Sequence, residues 1–374
     1  MSVLTRFGLA AVLAGTSLVA SAENLTPNLK FNGFASATGA VVDNAHGGEY
    51  IRDPFGYPGL TEDASFGLES VIGLQFDYRV NDKTNVVTQI VAEGRNSYQA
   101  EAEWAYIAYQ LNDSLSLRGG RLALPIYMYS DSIRVAQSYP WARLPVEVYA
   151  GVPVTNFNGM DLLYRKPLGD WNLNAQLLVG GSTTPLFRTQ NARGLNLSLS
   201  NDSLTLRAGY IADDLTFDSA TLPPPLVLDG VRTSFSNVGA LYDDGNWFAA
   251  GEFSQLRIRG WLEDWDAGYA SVGHYVGKWL PFVLWSKVNG INAQDCVAVA
   301  PYCLVPVTYQ EQTTYALGAK YALSSNVSMK AQVDHVTGFN GTNGFLSFPK
   351  DTPATLPHNP GSFNVITLSL TTAF

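Results

Sequence analysis

Hydrolytic chemistry on a strand scaffold needs a nucleophile and a base within hydrogen-bond reach of each other. The chain has four histidines, His46, His274, His335 and His358. His46 and His358 stand among the Gly and Pro neighbours of loops, His274 reads as inward-facing, and His335 shares parity with Met329 and Val333. None has a serine at a spacing that puts both groups on one strand face, so no catalytic residue is assigned. The only cysteines, Cys296 and Cys303, lie close together in a polar, Pro-containing stretch. No histidine or further cysteine stands near them, which argues against zinc, and in an exported chain the two are expected to pair. No metal and no cofactor is implied. What remains is electrostatic chemistry. The stretch 123–157 carries Asp131 and Glu147 beside Arg134 and Arg143, with Arg118 and Arg165 just outside it. Opposed charges of this kind create a local field.

The elements that would position these groups begin with an export signal. Arg6 provides a positive start, Phe7 to Val19 an apolar stretch, and Ala20-Ser21-Ala22 a small-x-small cleavage site. The expected division is therefore a signal peptide over 1–22 and one domain over 23–374. Beyond residue 22 no run of eighteen apolar residues occurs, so no helix spans a membrane. Aromatic residues make up 12% and charged residues only 15%, against the roughly 25% charged usual in soluble domains. A chain apolar in total but never in runs must alternate, which means strands with one apolar and one polar face. The net charge of −9 excludes nucleic acid, whose phosphates demand a basic face.

Alternating segments are read at 28–42, 66–80, 83–93, 102–111, 114–123, 158–166, 171–180 and 193–200. They continue at 203–211, 232–243, 247–255, 265–277, 281–289, 313–323, 327–336 and 362–374. Short Asn/Asp-rich turns alternate with long Gly/Pro-rich connections, the pattern of a transmembrane barrel with short periplasmic turns and long external loops. The last segment alternates Ile366, Leu368, Leu370, Thr372 and Phe374 with Thr and Ser, which suits closure onto the first. The predicted fold is all-β, a transmembrane antiparallel barrel of about sixteen strands. Lumen parity falls on Lys30, Arg79, Glu93, Glu103, Arg118, Asp161, Arg165, Arg207 and Lys287, among others, while Trp104, Tyr106, Tyr269, Phe282 and Leu284 are read as lipid-facing.

The longest connection, 123–157, is the third external one. It holds Pro125, Pro140, Pro145 and Pro153 together with Tyr127, Tyr129, Tyr139, Trp141 and Tyr149. Fixed φ angles and apolar area mark an ordered, functional loop. Here the chain resembles the general bacterial porins, although their enterobacterial motif Pro-Glu-Phe-Gly-Gly is missing. The runs Gly120-Arg121-Leu122 and Tyr139-Pro140-Trp141-Ala142-Arg143-Leu144-Pro145 are more similar to porin-like proteins of aquatic gammaproteobacteria. The resemblance implies a homotrimer in the outer membrane, in contact with lipid and lipopolysaccharide, that passes small hydrophilic solutes. It also implies an inward-folded third loop whose acids, Asp131 and Glu147, face basic wall residues. Arg118 and Arg165 are the first candidates for that wall, Lys30 and Arg79 the next. A small-residue face on strand one (Gly33, Ala35, Ala37, Gly39) is expected at the subunit contact. Arg121, which shares parity with lipid-facing Leu117, needs that contact or a bulge at Gly119-Gly120. A hydrolase on the same barrel, and a plugged structural or adhesive barrel, remain open alternatives.

Overall fold

Successive side chains of a strand point to opposite faces, so an alternating sequence separates lipid from water only if its strands close on themselves. The computed structural model describes residues 23–45, 47–51, 57–152, 154–217, 228–259, 262–291, 298–299, 302–303, 310–347 and 361–374. In it each alternating segment becomes a long strand. These are β1 (Leu29–Val42), β2 (Val71–Asn81), β3 (Thr84–Glu93), β4 (Ala100–Asn112), β5 (Leu115–Ala123) and β6 (Asn156–Leu168). Next come β7 (Trp171–Thr183), β8 (Phe187–Ser200), β9 (Leu204–Phe217), β10 (Leu228–Asp243) and β11 (Trp247–Ile258). The set ends with β12 (Asp264–His274), β13 (Trp279–Ile291), β14 (Gln312–Ala322), β15 (Val327–Thr337) and β16 (Phe363–Ala373).

Each strand is antiparallel to the next, and β16 pairs with β1 from Phe34↔Ala373 to Val42↔Val365. A further short strand, Glu23–Thr26, pairs with the lower end of β1, continuing the lane of β16 below its last residue. No strand edge is left to face lipid. At the periplasmic rim, Asn and Asp side chains close the turns by accepting an N–H two residues on: Asn81 from Lys83, Asn112 from Ser114, Asn201 from Ser203.

The outer surface presents an apolar belt, with Ile72, Ile107, Leu177, Val238 and Leu317 all exposed. Aromatic pairs mark its lower border, Trp247 against His274 at 4.4 Å and Trp279 against Tyr321 at 4.6 Å. On β1 the small-residue face is partly covered by the chain's own rings. Phe374 lies over Gly33 and Phe66 over Gly39, where any added Cβ would sit 2.4 Å from the ring.

The expected facing is corrected on two stretches. On β4 the register slips between Gln89↔Trp104 and Ile90↔Ala102, leaving Glu103 as an extra residue. This β-bulge puts Glu103 and Trp104 both on the lumen side and inverts the parity below it. Tyr106 therefore faces inward, and Ile107 and Tyr109 face lipid. On β12 and β13, Tyr269, Phe282 and Leu284 are buried inside, while Val283 and Trp285 are exposed outside, on the parity of Lys287. The interior is apolar there because the third external loop packs against it, so alternation carries no signal on those strands.

Candidate functional site: the inward loop and the passage beside it

The loop 124–155 leaves β5 and crosses the barrel. Its aromatic residues need apolar cover, and the inner faces of β10 to β13 supply it. Trp141 is fully buried, with its ring 5.4 Å from Tyr269 and 5.8 Å from Phe248 and its Nε1 donating to Ser271 at 3.0 Å. A single helical turn, Val146–Tyr149, follows Pro145.

Buried polar groups fix the loop, each fully used. Glu252 on β11 accepts from the Met128 amide (2.8 Å), the Tyr149 hydroxyl (2.7 Å) and Asn237 (2.7 Å). Arg143 donates to Glu69 (2.6 Å) and to Asp334 (2.9 Å). Lys330 donates to the carbonyls of Ala136, Tyr139 (2.7 Å) and Trp141 (2.9 Å). Gln137 reaches Ser328 and Thr371, close to the periplasmic rim. Burial, then the nearby Glu252 carboxylate, pushes the phenols of Tyr127, Tyr129 and Tyr149 up, so all three stay neutral, and Tyr149 donates to Glu252. Burial opposes the charge on Arg143, but Glu69 and Asp334 outweigh it and hold the guanidinium protonated.

The loop thus fills the lumen on the side of β10 to β15. Beside the remaining wall lie two cavities, one above the other. The outer, of about 1160 Å³, is lined by Glu69, Glu93, Glu101 and Glu103 and by Arg95, Arg121, Arg134 and Arg143. The inner, of about 350 Å³, is lined by Arg118, Arg165 and Arg207, by Asp131 from the loop, and by Trp104 and Tyr106. In the outer cavity, Arg134 reaches from the loop to Glu93 on β3 and approaches Glu103 on β4 at 3.9 Å.

The structure brings Asp131 together with Arg118 and Arg165 in the inner cavity. Arg118 is held by a two-pronged bond to Asp161 (2.9 and 2.5 Å) and lies 5.2 Å over the Tyr106 ring. The basic group nearest Asp131 is Arg207, at 3.8 Å. Glu147 is a correction. It is buried on the opposite wall, accepting from Ser286, Gln312 and Thr314, and it lines neither cavity. Its neighbours in sequence are apolar, so the helical turn carries it into the packed side of the loop. Lys30 and Arg79 sit near the periplasmic end and also line neither cavity; Arg79 is exposed and bonds to Asn28 (3.3 Å). The residues not assigned from sequence are Arg134 and Arg143 as loop cations, Glu69 and Asp334 as the counterparts of Arg143, and Glu252 as the acceptor that anchors Met128 and Tyr149. The lumen parity of Glu93 and Glu103, opposite two loop arginines, was the available signal. Arg121 avoids lipid by lining the outer cavity, next to Gly120, where the backbone within β5 takes φ +135°.

His274 and His335 are exposed; the first, expected to face inward, instead lies on the outer side against Trp247, and the second is bonded to Asn364 at 2.9 Å. His46 and His358 lie outside the described residues, as do the expected leader and Cys296. Cys303 pairs with Ala298 in a small hairpin.

No protein-family model matches the chain, and neither does any curated protein. Solved structures do match. The trimer form of OmpT, an outer membrane protein of Vibrio cholerae, superposes with a TM-score of 0.57 at 13% identity, over 92% of this chain and 99% of that one. Salmonella typhi OmpF gives 0.57 at 14% identity (93% and 98% covered), and the outer membrane channel DcaP of Acinetobacter baumannii 0.57 at 11% (95% and 100% covered). At such identities the likeness establishes the fold, a sixteen-stranded barrel of porin type. With its lipid-facing belt, that fold places the chain in the bacterial outer membrane.

Proposed function

We propose that the chain is a porin, a passage for small hydrophilic solutes and ions between the inward loop and the wall of β1 to β9. The observation that carries this reading is the pair of polar cavities stacked on the unfilled side of the barrel. A barrel of this size is wide enough for a water-filled channel unless something narrows it, and the loop is the narrowing element. The charges alternate with depth. Where Arg134 crosses the outer cavity to the wall, which we take as the waist, the loop is positive (Arg134) and the wall negative (Glu93, Glu103), whereas in the inner cavity the loop is negative (Asp131) and the wall positive (Arg118, Arg165, Arg207). Fields of opposite direction at successive levels orient water and disfavour apolar solutes. A homotrimer is part of the proposal. Ala35 and Ala37, between the rings over Gly33 and Gly39, make a low-relief patch suited to a neighbouring wall, and one structural neighbour is described in trimer form. Liposomes carrying the purified protein should swell in isotonic glucose, and failure to swell in any small sugar or amino acid would reject a diffusion pore.

The Arg134 contact favours one second reading, a barrel closed at rest. It requires that liposomes with the unaltered protein stay shut and that those with Arg134→Gln swell.

A further inference from the structure

The inner cavity is built as a row. Arg165 on β6 pairs in register with Asn174 on β7, Asn174 with Ser198 on β8, and Ser198 with Arg207 on β9. Four lumen positions on adjacent strands thus stand side by side, two guanidinium groups flanking an amide and a hydroxyl. Neighbouring strands are roughly 4.8 Å apart, so the two arginines start about 14 Å apart at the backbone. Each is long enough to lean over the middle of the row. One step up, Gln176 pairs with Asn196, adding two more amides on the same face.

The charges of this row are only partly used. Arg118, the third cation of the cavity, is consumed by its two bonds to Asp161. Arg207 donates to the Met128 carbonyl at 3.2 Å, stands 3.8 Å from Asp131, and keeps a buried Nε without a partner. Arg165 is exposed to the lumen and has no acid within ion-pair distance among the described residues. Counting Asp131 against Arg207 leaves one positive charge in excess. A cavity of about 350 Å³ has the size of a small-molecule site.

We propose that this row is a binding subsite for a small hydroxylated monocarboxylate, such as a sugar acid, on its way through the passage. The carboxylate would take Arg165 and the guanidinium of Arg207, such groups being suited to planar carboxylates. The hydroxyls would exchange hydrogen bonds with Asn174, Gln176, Asn196 and Ser198, and Trp104 offers an apolar face to the carbon skeleton. The assignment rests on the lumen being open to solutes, as proposed above, so its test reads binding and permeation separately.

Titration calorimetry of the detergent-solubilised protein with glucuronate, and with glucose and glucosamine as neutral and cationic controls, reads the site alone. Glucuronate should bind and both controls should not. Arg165→Gln should weaken glucuronate binding by about tenfold or more, with Ser198→Ala as a second, smaller loss in case the first variant folds poorly. Equal binding of glucose and glucuronate, or binding unaffected by either substitution, overturns the subsite. In planar bilayers glucuronate should then block the potassium chloride current at concentrations where glucose does not. Calorimetric binding in a protein that carries no current would retain the subsite and reject the pore. A current indifferent to glucuronate, with no calorimetric binding, would retain the pore and reject the subsite.

Discussion

Arg134 on the inward loop meets Glu93 at the extracellular end of β3, one of several contacts, with Asp131 to Arg207 and Asn196 to the Pro125 carbonyl, that join the loop to the wall of β1 to β9. Both residues line the large cavity of mixed charge, and the smaller, arginine-rich one lies beneath it. In the proposed passage solutes move along this contact, so its charge acts directly on permeation.

Arg134→Gln removes the loop cation that faces Glu93 and Glu103 and leaves both carboxylates facing the passage. The variant should conduct more current than the parent and shift its reversal potential toward cation preference in a salt gradient. An unchanged reversal potential would place the waist outside the conducting path.

Glu147→Gln should leave ion selectivity close to that of the parent, because Glu147 faces the far wall and lines neither cavity. Glu147→Ala should act on stability instead. Ser286, Gln312 and Thr314 lose their acceptor inside a dry contact, at roughly 1–3 kcal/mol for each group left unpaired. Thermal unfolding in detergent and noise in the open-channel current would both register a loosened loop.

Gly120 and Gly119 form a paired test of the backbone beside Arg121. A Cβ at Gly120 would lie 2.3 Å from the Ala105 carbonyl oxygen and 2.8 Å from the Tyr106 Cα, on a backbone with φ +135°. One at Gly119 would meet nothing closer than Met160 Cγ at 3.7 Å. Gly120→Ala should therefore cost about 1–3 kcal/mol and lower the yield of folded barrel on gels, while Gly119→Ala should be tolerated.

The sixteen strands and their order were legible because each segment alternates between turns with Asn, Asp, Gly or Pro, and phase is kept along the chain. Facing was legible wherever one side of a strand meets lipid and the other water, as for Ile72 against Gln75 or Met329 against Lys330. It failed where a third environment intervened. The run Trp279-Leu280-Pro281-Phe282-Val283-Leu284-Trp285 is apolar on both faces, because lipid covers one and the loop the other. It failed again on β4, where one extra residue at Glu103 inverts the parity and alternation cannot reveal a bulge. In the site, Asp131, Arg118 and Arg165 could be placed together from loop position and parity. The partner of Glu147 could not, since it depends on which way a four-residue helical turn faces.

Glu263, in the external connection between β11 and β12, accepts the Gln310 amide at 2.9 Å. Burial, with Asp264 and Glu311 adding repulsion, pushes its carboxyl up to about 7, although the Gln310 bond works the other way. With the folded value above the unfolded one, of about 4.3, the folded state binds more protons between the two. Stability from this group is therefore fullest below about pH 4 and declines as pH rises toward 7. Hydrogen exchange at this connection, corrected for intrinsic rates, should be slower at pH 5 than at pH 8, and Glu263→Gln should abolish the difference.

Cys303 sits in a small external hairpin, and pairing with Cys296 would close a short ring in an oxidising compartment. Mass spectrometry of protein purified without reductant should find the two joined, with no thiol free to alkylate.

Single-channel recording of the purified protein in a planar bilayer tests the central claim most directly. The account predicts discrete conducting steps in potassium chloride, larger and more cation-selective in Arg134→Gln. A membrane that stays electrically silent with both the parent and Arg134→Gln would contradict it.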